Sequence, residues 1–268
     1  MLKPAECVVF ASLKGGTGKT TSCLSIAGFM AKEGYRSLII DLDPQNNASR
    51  SLGIDSLTLK YSMYDALARY CDGYHGNSLS QVIQPTGIEN LYIAPAEYDL
   101  AVAELLMQNC PDRTNILNRV LDEVRHSCDY IFIDPPPSYG LLYINSLCAA
   151  DTVVVPLEPG FLSLGSIGQL KKSFNEVRLK SGHPLGRITV ILDRYVQPNA
   201  TAGLFGRSDA SRETAGALNK MVGHISLVPE AREIYEAQKR GLPISHYAPK
   251  SKVGRAYERI ARQLVAAA

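Results

Sequence analysis

The segment Leu13-Lys14-Gly15-Gly16-Thr17-Gly18-Lys19-Thr20-Thr21 gathers the residue types that phosphate binding requires. Glycines let a backbone turn tightly enough for its N–H groups to converge on phosphate oxygens, and a helix starting at the end of the loop adds positive potential there. In the pattern G-x-x-x-x-G-K-[ST] the lysine reaches the β- and γ-phosphates of a nucleoside triphosphate and the hydroxyl completes the Mg²⁺ shell. Lys19 and Thr20 hold those two positions. An apolar run, Cys7 to Leu13, precedes the loop and a helical pattern continues to about Glu33. This strand, loop and helix order separates a phosphate loop from a Gly-rich turn carrying an incidental lysine. One position departs from the pattern: Leu13 stands where the first glycine belongs, and a second lysine, Lys14, follows it. The bland alternative for Lys14 is a solvated loop lysine.

Two further apolar runs end in carboxylates. Ser37-Leu38-Ile39-Ile40 leads into Asp41-Leu42-Asp43-Pro44-Gln45, and Tyr130-Ile131-Phe132-Ile133 into Asp134-Pro135-Pro136-Pro137. Any one of these aspartates alone is a loop cap. Beside a phosphate loop, at the carboxyl edge of an open α/β sheet where such folds bind ligands, they become candidates for metal and water positioning. An ordinary aspartic acid has a pKa of about 4, so Asp43 is expected to orient water more than to accept its proton.

These residues need a sheet to carry them. The runs Cys7–Leu13, Ser37–Leu42, Leu91–Ala94, Tyr130–Ile133, Thr152–Val155, Ile188–Leu192 and His224–Val228 are predicted strands, separated by helix-like stretches. That alternation implies right-handed βαβ units. Several runs are apolar throughout, as expected where helices cover both faces. The expected fold is therefore α/β, a doubly wound, mainly parallel sheet of the P-loop NTPase kind. Gly34 is a helix stop, Pro44 ends the second strand, and Cys71–Asn90 is the expected long surface loop. The 268 residues show no internal repeat or low-complexity tract and read as one ATPase-sized domain, 1–268.

Six scattered cysteines without a C-x-x-C pair point to reduced thiols, not to a zinc site or disulfide framework. The N-terminal apolar run is too short to span a membrane and no cleavable signal precedes it. Net charge is only +2, but residues 187–268 hold thirteen Lys/Arg against seven Asp/Glu. In the predicted C-terminal helix, about 250–265, Lys252, Arg255, Arg259 and Arg262 recur at steps of three, four and three, while Val253, Tyr257, Ile260 and Leu264 form an apolar stripe suited to docking on the sheet. A basic helical face is either solvated or a phosphate-contacting surface. The ending Gln263-Leu264-Val265-Ala266-Ala267-Ala268 offers little apolar area for membrane insertion.

The K-G-G-x-G-K-T-T string resembles the deviant phosphate loop of the family that contains ParA, MinD and the nitrogenase iron protein, and Leu13 before the early lysine makes it more similar to ParA than to MinD; the short stretch before the loop resembles the small ParA or Soj type. Asp41-Leu42-Asp43-Pro44-Gln45 resembles the D-x-D-P-Q strand end of ParA proteins, and Asp134-Pro135-Pro136-Pro137 their second acidic strand. The resemblance continues through Leu147–Asp151, Val153–Pro156, Val228-Pro229, Glu236-Ala237, Gly241, Pro243, Tyr247, Lys250-Ser251 and Tyr257, nearly the whole chain. It departs after Pro156, where many members carry acidic residues and this chain has Gly160 and Gly165-Ser166, and at Glu233, often basic in DNA-binding members, although Arg232 is its neighbour.

The resemblance implies ATP and Mg²⁺ as cofactors. It implies that Lys14 crosses a homodimer interface to the other subunit's phosphates, and that Gly15 to Thr21 bind the nucleotide. Asp43 would handle the attacking water, Thr20 and Asp134 the metal, and Asp41 would stand one step behind the metal. Asp193, Arg194 and Pro229 fall where the family lines its adenine pocket. Nonspecific double-stranded DNA binding through Arg232, Lys252, Arg255, Arg259 and Arg262, a ParB-like centromere-binding partner that stimulates slow hydrolysis, and a cytoplasmic, nucleoid-associated location without stable membrane association are the remaining expectations. The alternatives are a positioning ATPase for another cargo and a MinD-like membrane switch; an iron protein would need two cysteines per subunit around a shared cluster.

Overall fold

The computed structural model describes residues 3–181, 187–196, 207–222 and 224–266. In chain order the elements begin with β1 (Glu6–Phe10), α1 (Lys19–Lys32), β2 (Ser37–Asp41), α2 (Asn47–Ser51), α3 (Met63–Ala68), α4 (Leu79–Val82), β3 (Gln84–Pro85), β4 (Leu91–Ala94), α5 (Leu100–Met107) and α6 (Ile116–Asp122). They continue with β5 (Tyr130–Asp134), α7 (Leu141–Cys148), β6 (Thr152–Leu157), α8 (Phe161–Ser181), β7 (Arg187–Tyr195), α9 (Arg207–Val222), β8 (Ile225–Pro229), α10 (Arg232–Lys239), α11 (Ile244–Tyr247) and α12 (Lys252–Ala266). The strands form one sheet in the order β3-β4-β2-β5-β1-β6-β7-β8. Every described pairing is parallel except β3 with β4.

The apolar strands explain the layering. Side chains alternate across a strand, so Cys7 and Val9 join one core with Ile40, Ile131, Ile133 and Val153, while Val8 and Phe10 join the opposite one with Ile39, Phe132 and Val154. The first core is closed by residues of α3, α5, α6, α7 and α8, the second by α1 and α12. In α12, Val253, Tyr257, Ile260 and Leu264 are buried as the sequence periodicity predicted. The Tyr257 hydroxyl, fully enclosed, pairs with Ser22 Oγ at 3.2 Å and so avoids an unsatisfied buried polar group. This docking of α12 on α1 turns Lys252, Arg255 and Arg259 to solvent.

Two expectations need correction. The stretch Cys71–Asn90 is not one loop: Ser78 and Gln81 form a capping box that starts α4, and the two-residue β3 pairs antiparallel with β4. A strand of two residues, one of them a proline, carries no periodicity to read and is confined to an edge. The seventh strand is also longer than its apolar core, running to Tyr195 through an irregularity between Leu192 and Tyr195. Gly34 does stop α1, with φ +94°. Among the described residues no helix is long and apolar enough to cross a membrane.

Candidate functional site

Parallel strands deliver their C-terminal ends to one edge, and the sheet order puts β2, β5, β1, β6 and β7 side by side there. The loop after β1 occupies the centre. Gly16 and Gly18 have φ of +77° and +84°, and a Cβ at Gly15 or Gly16 would meet nothing, so the loop is an open backbone cradle. Ser12 Oγ lies 3.1 Å from Lys14 O and accepts from Lys14 N at 3.3 Å, which fixes the entry to the loop.

Lys19 and Thr20, in the first turn of α1, converge on Asp134 at the end of β5. Lys19 Nζ donates to Asp134 Oδ1 at 2.9 Å and to the Pro135 carbonyl, and Thr20 Oγ1 donates to Asp134 Oδ2 at 2.7 Å. Burial alone would lower the Lys19 pKa; the Asp134 carboxylate opposes it through charge and hydrogen bond, and the net shift is upward. The lysine therefore stays charged. A hydroxyl and a carboxylate at one point are hard oxygen donors of the kind Mg²⁺ takes beside phosphate oxygens and water, so the residues present fit Mg²⁺-nucleotide.

The two β2 aspartates differ. Asp41 is fully buried and spent on the chain itself: Oδ2 accepts from Ser49 N (2.9 Å) and Ser49 Oγ (2.7 Å), and Oδ1 from Asp43 N (3.2 Å). Burial, reinforced by Asp134, pushes its pKa up to about 7. The fold thus keeps Asp41 out of the Thr20–Asp134 pair and uses it to shape the turn that carries Asp43. Asp43 accepts from Gln45 N at 3.0 Å with Oδ1, while Oδ2 makes no hydrogen bond among the described residues. Burial raises its pKa despite the Gln45 amide and the Lys19 charge, so the ordinary value assumed from sequence does not hold.

On the other side of the loop, Asp193 is 7% exposed, and its Oδ2 lies 2.0 Å from where a Cβ on Gly18 would be. Asp193 therefore packs on the loop, and burial pushes its pKa up to about 6. Arg194 adopts φ +52°, a left-handed conformation unusual for a residue with a side chain, at the β7 irregularity. Its guanidinium turns to Glu158 just beyond β6, and Lys14 Nζ lies 3.6 Å from the other oxygen of Glu158. Pro229 pairs in register with Tyr195 and lines an open groove of about 1130 Å³ shared with Glu230, Lys252, Arg255 and Arg259. Thr21 accepts from Gln238 Nε2 of α10 at 3.3 Å.

The chain matches the family model described as "AAA domain" over residues 5–185. It is 32% identical over 262 residues to the chromosome-partitioning ATPase Soj of Treponema pallidum, covering 97% of this chain and 96% of that protein. It is also 32% identical to the sporulation initiation inhibitor protein Soj of Bacillus subtilis, covering 97% and 98%. The chain belongs to the ParA/Soj family of partition ATPases. Among solved structures, cobyrinic acid a,c-diamide synthase from Mycobacterium smegmatis, with bound ADP and magnesium, superposes with a TM-score of 0.78 at 27% identity, covering 97% of this chain and 94% of that one. That likeness carries the fold and not the synthase reaction.

In this ParA-like ATPase the basic candidates are unequal. Lys252 and Arg259 are exposed beside the groove, and Arg255 Nε donates to the Lys250 carbonyl. Arg262, counted with them from its spacing, is engaged by Glu258 at 2.7 Å and Glu33 at 3.5 Å. Arg232 lies on α10, 3.8 Å from Glu236. Residues the sequence reading passed over are Ser12, Ser49, Gln238 and above all Glu158, the acid that does stand after Pro156 although Gly160 and Gly165 follow it. The partners of Glu158 and Gln238 are distant in sequence, so no local pattern marks those two, whereas Ser12 and Ser49 act on Lys14 and Asp41 nearby.

Proposed function

We propose that the chain is an ATP-dependent switch. ATP and Mg²⁺ bound at Gly15–Thr21, Asp134 and the Asp193 side of the loop favour a homodimer through Lys14; the dimer binds duplex DNA without sequence preference, and hydrolysis releases it. The observation that carries this reading is the meeting of Lys19, Thr20 and Asp134 at the foot of an open glycine loop, with Lys14 half exposed at its rim. Bound Mg²⁺ would supply charge neutralisation between the phosphates.

This chain's own residues supply the rest. Lys19 is kept charged and buried, ready to exchange Asp134 for phosphate oxygens. Asp43 has one oxygen fixed by the Gln45 amide and the other available to orient a water. Slow turnover, with Asp43 acting mainly by orientation, suits a switch that a ParB-like partner accelerates. Exposed apolar side chains Tyr98, just before α5, and Val102 and Leu105 within it, at steps of four and three, support an interface. Lys252, Arg255 and Arg259 support phosphate contact, and with it a nucleoid-associated role.

The test is Asp43→Ala. It is expected to retain ATP and hold the DNA-bound state while hydrolysis falls by about a hundredfold or more. Hydrolysis at the wild-type rate would remove Asp43 from the reaction.

A further inference from the structure

β6 lies between β1 and β7 in the sheet, so the residue just past its end faces the phosphate loop on one side and the end of β7 on the other. That residue is Glu158. Its Oε2 is 3.6 Å from Lys14 Nζ and its Oε1 pairs with Arg194. The acid is the more enclosed partner, its side chain 21% exposed against 50% for Lys14 and 49% for Arg194. Arg194 reaches it from a left-handed backbone conformation at the only described irregularity of the β7–β8 ladder, where a bulge re-aims side chains.

A carboxylate and a phosphate compete for the same ammonium. We infer that Glu158 is a stand-in for phosphate within the single chain: it parks Lys14, and Lys14 must leave it before it can serve a second copy. Arg194, on the other oxygen, stays with Glu158 when Lys14 departs, so the carboxylate is never left without a counter-charge. The latch is therefore built to open at small cost. It rests on the reading that Lys14 acts at a partner's nucleotide.

Glu158→Gln keeps the side chain's shape and removes its charge. A half-exposed ion pair is a weak one, so in a non-hydrolysable ATP analogue the dimer dissociation constant is expected to fall roughly two- to fivefold, and the difference to shrink in high salt. Sedimentation of the wild type, Glu158→Gln, Lys14→Ala and the double variant separates the two ideas. In the Lys14→Ala background no dimer is expected, and Glu158→Gln is expected not to restore one. A dimer constant unchanged or weakened by Glu158→Gln, or an equal gain without Lys14, overturns the latch while the lysine reading stands. A normal dimer from Lys14→Ala overturns both. Glu158→Asp, which withdraws the charge from both cations, is expected to give a smaller gain and serves if the glutamine variant misfolds.

Discussion

Thr20 Oγ1 stands 2.7 Å from Asp134 Oδ2, across 114 residues of sequence, while Lys19 Nζ holds the other oxygen of the same carboxylate at 2.9 Å. The Lys19–Asp134 pair is almost wholly excluded from water, with side-chain exposures of 8% and 0%. Removing one member of a buried pair strands the other charge, at a cost of about 3–5 kcal/mol. Asp134→Ala is therefore expected to lose stability on that scale without nucleotide, by urea denaturation. The double variant Lys19→Ala/Asp134→Ala is expected to lose less than the sum of the single losses. Additive losses would mean the pair is not coupled.

Asp43 gives a pH signature. Burial holds its pKa above the usual aspartate value, so its carboxylate is protonated earlier as pH falls. If that carboxylate orients the attacking water, kcat is expected to decline with acidification, with a midpoint above about 4. Asp43→Asn is expected to flatten the profile. A wild-type profile without this limb would contradict the assignment.

Asp193 acts on stability with the opposite sign from a salt-bridged acid. Its folded pKa, about 6, exceeds the ordinary 3.8, so the folded chain binds the proton more tightly. The folded state's disadvantage develops as pH rises from about 4 through about 6, and is complete above that. Asp193→Asn is expected to raise nucleotide-free stability at pH 7 by on the order of 1–3 kcal/mol and to have little effect near pH 4. Equal effects at both pH values would show that the shift is not the cause. Gly18→Ala, by contrast, combines positive φ with collision against Asp193, and is expected to destabilise the loop at every pH.

The basic face of α12 makes a graded prediction for DNA. Each lost phosphate contact reduces the slope of log affinity against log salt by about 0.9. Lys252→Ala and Arg259→Ala are expected to show that reduction on any duplex sequence. Arg262→Ala is expected to show less, because Glu258 and Glu33 already hold its guanidinium. Equal slopes for Arg259→Ala and wild type would make this a solvated face.

What the sequence made legible follows from how local each signal is. The phosphate loop, the aspartates at strand ends and the apolar stripe of α12 are patterns within a few residues, and the structure has the corresponding elements. Apolar runs located seven strands; β3 escaped because Gln84 and Pro85 are too few to carry a period. Glu158 and Gln238 take their meaning from Lys14 and Thr21, far away in sequence, which only the fold brings near; Ser49 takes its meaning from Asp41 across the turn between β2 and α2. The raised pKa values of Asp43 and Asp193 depend on burial, which only the folded chain defines. Arg262 shows the reverse: its spacing is that of the stripe, but Glu33, far away in sequence, changes what it can do.

In the proposed switch, nucleotide controls assembly, and assembly controls DNA binding. The direct measurement is sedimentation of the wild type and Lys14→Ala with Mg²⁺ and either ADP or a non-hydrolysable ATP analogue, with and without a short duplex of arbitrary sequence. The wild type is expected to be a dimer that carries DNA with the ATP analogue and a monomer that does not with ADP, and Lys14→Ala a monomer in both. A wild type that stays monomeric with the ATP analogue, or binds the duplex equally in both nucleotide states, would contradict it.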